Sequence, residues 1–508
     1  MRLTFRIFFG GAAAWFGRGA NILFGLVLMP VLFRHLPKQE LGLWLMLGQT
    51  WAALSIFDFG FGVVLTRRMA FVARCGGQRL DAARNADLAE LVALGRRLYT
   101  WLGFLSLAIS FATGFWFLRG IGLAGQPASA AWTAWAVLCL AQGISTWAAG
   151  WTCLLQALGY VGWDTIVASV VNALTLLVQI LVVLAGGGVV GLAVTAAVGA
   201  LVQRLSIVRL VRSRCRYLPL RHTRWRTGLF REMLPLALRA WLTSVGYLLL
   251  ANTDQFFIAA FRGTTALPPF RAAFLLVINL HLLAGVFSGA SPVFVSQLWQ
   301  AGDMEGIRVI LRRNAQIGLW TMACGAAAIL ALGPALFQLW LGPGNFVGYP
   351  VLAVFLAIFL LEHHANVFST CGRATDDEAY AASSIATGLL KIFLAWFLTA
   401  RFGLVGLACS TLLAQAAVND WFMVWRSARR LNVKFGAHFR EVLLPFAVLF
   451  LASLCLGLFL KSLTRQAGLA FQVLAVGGTA MVLLAGSLWQ FALAPSHRTW
   501  VLRRLRLA

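Results

Sequence analysis

The sequence predicts an all-α polytopic membrane protein of about fourteen transmembrane helices. Three observations predict it: the composition, the recurrence of long apolar runs, and the alternation of basic segments between them. Of 508 residues, 60% are hydrophobic and only 11% charged, and the mean hydropathy is +0.82. A soluble chain of this length would carry roughly 25% charged residues. So much apolar surface exceeds what one globular core can bury, and a hydrocarbon solvent must take the rest.

Runs of about 20 apolar residues, each enough to cross ~30 Å of hydrocarbon, recur from end to end. They fall near 8–33, 41–66, 97–119, 131–157, 163–185, 189–212, 233–261, 271–296, 314–340, 348–371, 379–400, 403–425, 440–460 and 469–493. The first is too long for a signal peptide and is expected to be a membrane helix. The tightest expected reversals are at Gly186–Gly188 and at Arg401–Phe402.

With an even count, both termini share one side. When that side is inside, inner segments hold 30 of the 42 Lys and Arg residues, outer segments hold 8, and 4 lie within spans. The positive-inside rule then sets both termini in the cytoplasm. The net charge of +26 is accounted for by these loops, which are expected to lie against anionic headgroups and not against nucleic acid. The longest inner segment, 67–97, is read as a loop of about thirty residues, and no outer loop is long. No soluble catalytic domain is accommodated, so the chain is not expected to be an enzyme. Eight scattered cysteines form no CxxC pair, which gives no reason to expect a metal site or disulfide framework. Neither a Walker A nor a Rossmann motif occurs, and no cofactor is expected.

A faint repeat runs through the chain. GVVGLAVTAAVGALVQ from Gly188 aligns with GLVGLACSTLLAQAAVN from Gly403. Gly159 and Gly372 hold similar places, as do Ala14-Trp15 and Ala240-Trp241. The expected organisation is a six-helix bundle over 1–212, a basic linker at 213–232, a second six-helix bundle over 233–425, and two further helices with a basic tail over 426–508. Related by an axis along the membrane normal, two such bundles suit alternating access.

Ionisable residues within spans are costly and mark functional paths. Arg18, Arg239 and Lys391 are three cations at depth, which point to a cavity prepared for an anion; His281 is central in the eighth span. Asp58 sits where it either pairs with Arg18 or Arg67 or caps the Gly-rich end of the second span. Asp254 and Glu362 are the other deep acids, and Glu362 is four residues before Asn366. His363 and His364, being consecutive, point to different helix faces, which disfavours a metal site. Arg204 and Asp420 lie nearer helix ends, where snorkelling or local pairing is expected.

Four passages together resemble one family. LFRHLPKQELGLW (32–44) is followed by IFDFGFGVVLTRRMA (56–70), and later come NTDQFFIAAFRGTTALPPFRAAFLL (252–276) and SPVFVSQLWQAGD (291–303). The sequence resembles the bacterial polysaccharide exporters and O-antigen flippases of the multidrug/oligosaccharidyl-lipid/polysaccharide (MOP) superfamily, with Leu43-Trp44 and Pro268-Pro269 departing from the usual pattern. The resemblance implies a V-shaped pair of bundles, as in the multidrug MATE transporters, in a bacterial inner membrane. It implies flipping of a polyprenyl-pyrophosphate-linked oligosaccharide from cytoplasmic to periplasmic leaflet. Arg18, Arg239, Lys391 and His281 would bind that substrate, and Asp58, Asp254 or Glu362 would carry a coupling proton or sodium ion. Expected partners are the lipid-linked oligosaccharide, membrane lipids and other polysaccharide-assembly proteins. The competing readings are a MATE-type drug or metabolite antiporter, which would need acids to dominate the cavity, and a membrane-embedded polysaccharide polymerase, ligase or glycosyltransferase, which would need longer outer loops.

Overall fold

A computed structural model describes residues 24–73, 82–120, 128–158, 160–214, 227–292, 295, 298–299, 301–375 and 380–489. Among these residues there is helix and turn but no strand, as hydrocarbon demands: a lipid-embedded backbone must satisfy its own polar groups. Among the described residues, eleven helices are long and apolar enough to cross a membrane. One of them, Ala381–Arg430, has 50 residues, about 75 Å if straight, far more than one crossing. It folds back at Gly403, whose φ is 61°. An added Cβ on Gly406 would collide with the carbonyl of Leu398, eight residues earlier, which in a straight helix lies ~12 Å away. The expected eleventh and twelfth spans are therefore a hairpin with almost no loop.

The chain packs as two compact units, Met1–Pro268 and Pro269–Ala508. In the first unit the helices are α1 (Phe24–His35), α2 (Lys38–Ala53), α3 (Phe61–Ala73), α4 (Ala82–Gly120), α5 (Ala128–Ala157), α6 (Val161–Leu184), α7 (Gly188–Arg214), α8 (Thr227–Ala251) and α9 (Asp254–Arg262). Three expectations need correction here. The second span, 41–66, is not one helix but α2 and α3 joined by a 3-10 turn, Leu54–Asp58. The seventh breaks at Asn252-Thr253 into α8 and α9. The presumed loop 67–97 is mostly helix, because α3 continues to Ala73 and α4 starts at Ala82. Charged residues there mark exposure to water, which composition cannot distinguish from the absence of helix.

Small residues bring α4 and α5 together. An added Cβ on Gly103 would lie 3.1 Å from the Gly143 carbonyl, and one on Gly150 would lie 3.5 Å from the Gly95 carbonyl. Such stripes let membrane helices approach closely where no hydrophobic effect drives them together. Tyr99, Leu154, Leu65, Met233 and Ala237 are among the residues of this unit's core. Packing and repetition partition the chain differently: α8, first helix of the inferred second repeat, packs on α3.

The second unit contains α10 (Leu267–Ala284, which starts at the boundary), α11 (Val286–Ala290), α12 (Met304–Leu332), α13 (Pro334–Leu341), α14 (Tyr349–Arg373), α15 (Ala381–Ala414), a π turn (Gln415–Asn419), α16 (Asp420–Arg430), α17 (Leu444–Leu463) and α18 (Leu469–Ser487). The most buried is α12, which packs against α14, α17 and α18. Asp303 caps its N-terminus by accepting from Gly306 N–H at 2.8 Å, so the Gly-Asp motif is a helix start. At its other end Lys461 Nζ donates to the Ala331 carbonyl at 2.8 Å, placing a cation on the negative helix terminus.

The two copies of the G-x-x-G-L-A repeat share a conformation. Gly188 has φ 56° and Gly403 φ 61°. An added Cβ on Gly191 or Gly406 would meet Val182 or Leu398 of the preceding helix.

A paired substitution tests these reversals. Gly60 (φ 74°) and Gly186 (φ 79°) both require the left-handed region, but an added Cβ at Gly60 also strikes α8, whereas Gly186 faces open space. Gly186→Ala is expected to cost about 1 kcal/mol, and Gly60→Ala at least twice that. Thermal melting followed by size-exclusion chromatography will rank them; equal losses would refute the close packing of α8.

Candidate functional site

In the first unit the candidate site gathers around the α2–α3 break. Asp58 ends the 3-10 turn, and its Oδ1 accepts from Gly60 N–H at 2.8 Å; the Gly62 backbone bonds to it as well. Phe59 (φ 50°) and Gly60 adopt left-handed conformations to reverse the chain. The bare Gly60 admits α8, whose Trp241 nitrogen would lie 2.9 Å from an added Cβ. Trp241 Nε1 donates to the exposed Ile56 carbonyl at 3.1 Å, and its ring packs 5.3 Å from Phe59. Asp58 thus caps the break, one of the two roles its position suggested. Behind it are Tyr99, wholly buried, and Cys153, whose Sγ lies 3.9 Å from the Tyr99 hydroxyl.

The L-G and D-x-G motifs now have physical reasons. Gly42 on α2 is bare because the Thr264 carbonyl presses against it. Asp58 and Gly60 hold the break open to α8.

Of the remaining predicted residues in this unit, Arg18 lies outside the described residues. Arg239 is on α8 with its side chain exposed, and Asp254 is the first residue of α9 and half-buried. A carboxylate in a first turn faces the positive end of the helix dipole. Arg204 is half-buried, and its Nη1 donates to Thr152 Oγ1 at 3.1 Å. Gln156 Nε2 donates to Asp164 Oδ2 at 2.8 Å.

In the second unit, α14 carries polar residues on several faces. His363 is buried, and Gly318 of α12 makes room for its ring. His281 of α10 packs edge-on against it with ring centroids 5.5 Å apart, and its Nδ1 lies 3.3 Å from the Phe359 carbonyl. His364 turns the other way, with Nε2 2.9 Å from His438 Nε2. At that distance one imidazole must donate and the other accept. Phe368 packs against both rings.

Glu362 faces the π turn. Gln415 Nε2 donates to Glu362 Oε2 at 3.5 Å. Asp420, which opens α16, is near enough to couple electrostatically with Glu362. It is 7% exposed, so it does not snorkel. Neither Asp420 oxygen nor Gln415 Oε1 has a hydrogen-bond partner among the described residues. Single π turns of this kind are frequent where function needs a local departure from the α-ladder. Lys391 on α15 is wholly buried. Among the described candidates, His281 meets His363, and Glu362 meets Gln415. The Glu362–Asp420 pairing was not foreseen, because 58 sequence positions and a π turn separate the two.

The family profile described as "Polysaccharide biosynthesis protein" matches residues 12–297, which is more than half of the chain. A solved structure of the lipid II flippase MurJ, in an inward closed conformation, superposes with TM-score 0.64 at 14% identity, covering 95% of this chain and 98% of that one. An inward-facing multidrug resistance MATE transporter of the MOP superfamily superposes with TM-score 0.63 at 15% identity, covering 81% and 94%. A MOP superfamily transporter from Pyrococcus furiosus, with a binding pocket of reverse polarity, gives TM-score 0.54 at 14% identity over 84% and 95%. Among curated protein sequences, none matches the chain. At these identities the structures establish the fold alone.

The buried Asp420 beside Glu362 makes a sharp prediction. Asp420→Asn replaces a carboxyl whose oxygens lack partners among the described residues with a neutral amide that carries two N–H donors. It is expected to stabilise the fold by about 1–2 kcal/mol, read as a higher melting temperature. A lower melting temperature would mean that the carboxylate is satisfied by something the amide cannot hold.

Proposed function

Because the chain belongs to the polysaccharide biosynthesis protein family, we propose that it is a flippase for a polyprenyl-pyrophosphate-linked oligosaccharide, a precursor of O-antigen or a related polysaccharide. The observation that carries this reading is the family match itself, over residues 12–297 of a chain whose described residues include eleven helices of membrane-spanning length. Such a protein works by moving its substrate through the bilayer, and the likeness to the fold of a lipid II flippase supports a lipid-linked cargo. The direction is from the cytoplasmic to the periplasmic leaflet of the inner membrane, by alternating access.

Arg18, Arg239 and Lys391 are proposed to neutralise the pyrophosphate or an acidic sugar, with His281 as a further substrate contact. Guanidinium suits phosphate because it binds two oxygens at once, whereas an ammonium acts as a point charge. Asp58, Asp254 and Glu362 are proposed to couple transport to a proton or sodium gradient. Occupation of an acid changes the charge inside the membrane, which biases one conformational state over another.

A second reading, export of organic cations, draws support from the Glu362–Asp420 pair and from the MATE-like fold. The two are separated by removing the gene from its host and labelling lipid-linked oligosaccharides on each leaflet. For the flippase, intermediates accumulate on the cytoplasmic face. Wild type relieves this accumulation, while Arg18→Ala, Arg239→Ala and Lys391→Met lower transport at least tenfold. Normal glycan export with altered drug sensitivity would establish the antiporter. Intermediates that reach the periplasmic face unpolymerised would identify an enzyme.

A further inference from the structure

A second basic site lies in the first unit, away from every residue assigned above. Three helices build a cavity of about 410 Å³. From α4 come Arg96, Arg97 and Thr100, from α5 Trp147 and Trp151, and from α7 Arg212. The positions on each helix follow the three- and four-residue spacing of a single face, so the sequence builds the cavity deliberately on three helices at once. Gly150 of α5 forms part of its wall. Arg96 lies over the Trp151 ring, 5.9 Å from the centroid, an arrangement that orients the guanidinium.

The charge here is one-sided. Among the described residues, three arginines and no acidic residue line the cavity. A cavity of similar size in the second unit, about 400 Å³, is lined by Arg308, Arg312, Glu305 and Glu441. There each arginine has its carboxylate, Arg308 with Glu305 and Arg312 with Glu441, both at 2.9 Å. The described lining of the second cavity carries acids as well as bases, whereas that of the first carries a net positive charge.

The surroundings say which anion. Continuing along the same helix faces, toward mid-membrane, are Phe104 on α4, Ile144 on α5 and Leu205 on α7, exposed by 66%, 39% and 57%. A soluble anion gains nothing from such a surface, whereas a lipid lays its chains on it. Trp147, 48% exposed, stands between the arginines and this apolar face, the amphipathic position tryptophan takes at a membrane interface. The arginines sit at the membrane end that the positive-inside rule assigns to the cytoplasm, the leaflet where basic pockets between helices recruit acidic headgroups.

We propose that Arg96, Arg97 and Arg212 bind the phosphate of an anionic lipid headgroup from the inner leaflet, with its chains against α4, α5 and α7. None of these lining residues is among the substrate-binding or ion-coupling candidates.

The full chain, purified in detergent, is titrated by native mass spectrometry with phosphatidylglycerol, phosphatidylcholine or inorganic phosphate. Saturable phosphatidylglycerol binding is expected, weakened about tenfold or more in Arg96→Gln/Arg97→Gln/Arg212→Gln. The control Arg308→Gln/Arg312→Gln retains wild-type binding. Phosphatidylcholine binds at least tenfold more weakly, and millimolar inorganic phosphate fails to displace the lipid. If the triple variant does not fold, Trp151→Leu with Arg96→Gln reads the same loss. Undiminished binding in both variants overturns the site. Equal affinity for the two lipids overturns the recognition of net charge, and displacement by inorganic phosphate overturns the lipid as its source.

Discussion

Inside hydrocarbon a peptide group has no water to bond, so each turn of the chain must be helical or must find another donor or acceptor. That constraint shapes every departure from helix seen here. At the α2–α3 break, Asp58 accepts from Gly60 N–H, and the indole of Trp241 is a second donor to the Ile56 carbonyl, which also accepts from Phe59 N–H. At the end of α12, Lys461 takes the Ala331 carbonyl. The reversals at Gly188 and Gly403 are compressed to glycines with positive φ, leaving few peptide groups outside the ladder. The fold is a set of helices plus a short inventory of such repairs.

The same constraint concentrates chemistry. A break that must be repaired holds polar side chains in fixed places, and those places coincide with the motifs that mark the family. Asp58 and Gly60 stand at one break; Gln415 and Asp420 bracket another irregularity, the π turn beside Glu362. A charge at such a point is held by geometry and not by solvent, so its occupation is coupled to helix arrangement.

Much of this was legible in the sequence. Apolar length alone gives the spans, because the thickness of hydrocarbon sets a minimum that few soluble helices meet. The tight hairpin after the eleventh span was visible as a missing loop, and its glycine as half of a repeat. The divergent faces of His363 and His364 follow from their adjacency. What was hidden depends on neighbours distant in sequence. Nothing local says that Gly60 is bare because α8 crosses it, or that Asp420 lies beside Glu362. Depth along a span also gives no bearing around the helix axis: Arg239 and Lys391 both lie within apolar spans, yet one side chain is exposed and the other wholly buried. The helical segment after Arg67 was read as loop because charge reports contact with water and says nothing of backbone.

The loopless reversal at Gly403 also bears on how the protein is made. Spans separated by a hydrophilic segment can leave the translocon one after another, each waiting for the next. Spans joined by Arg401, Phe402 and Gly403 leave no chain to lie in the aqueous space between two insertion events. The pair must therefore partition into lipid together, as a preformed helical hairpin. Its glycine is then a requirement of biosynthesis, imposed before the finished protein has anything to transport.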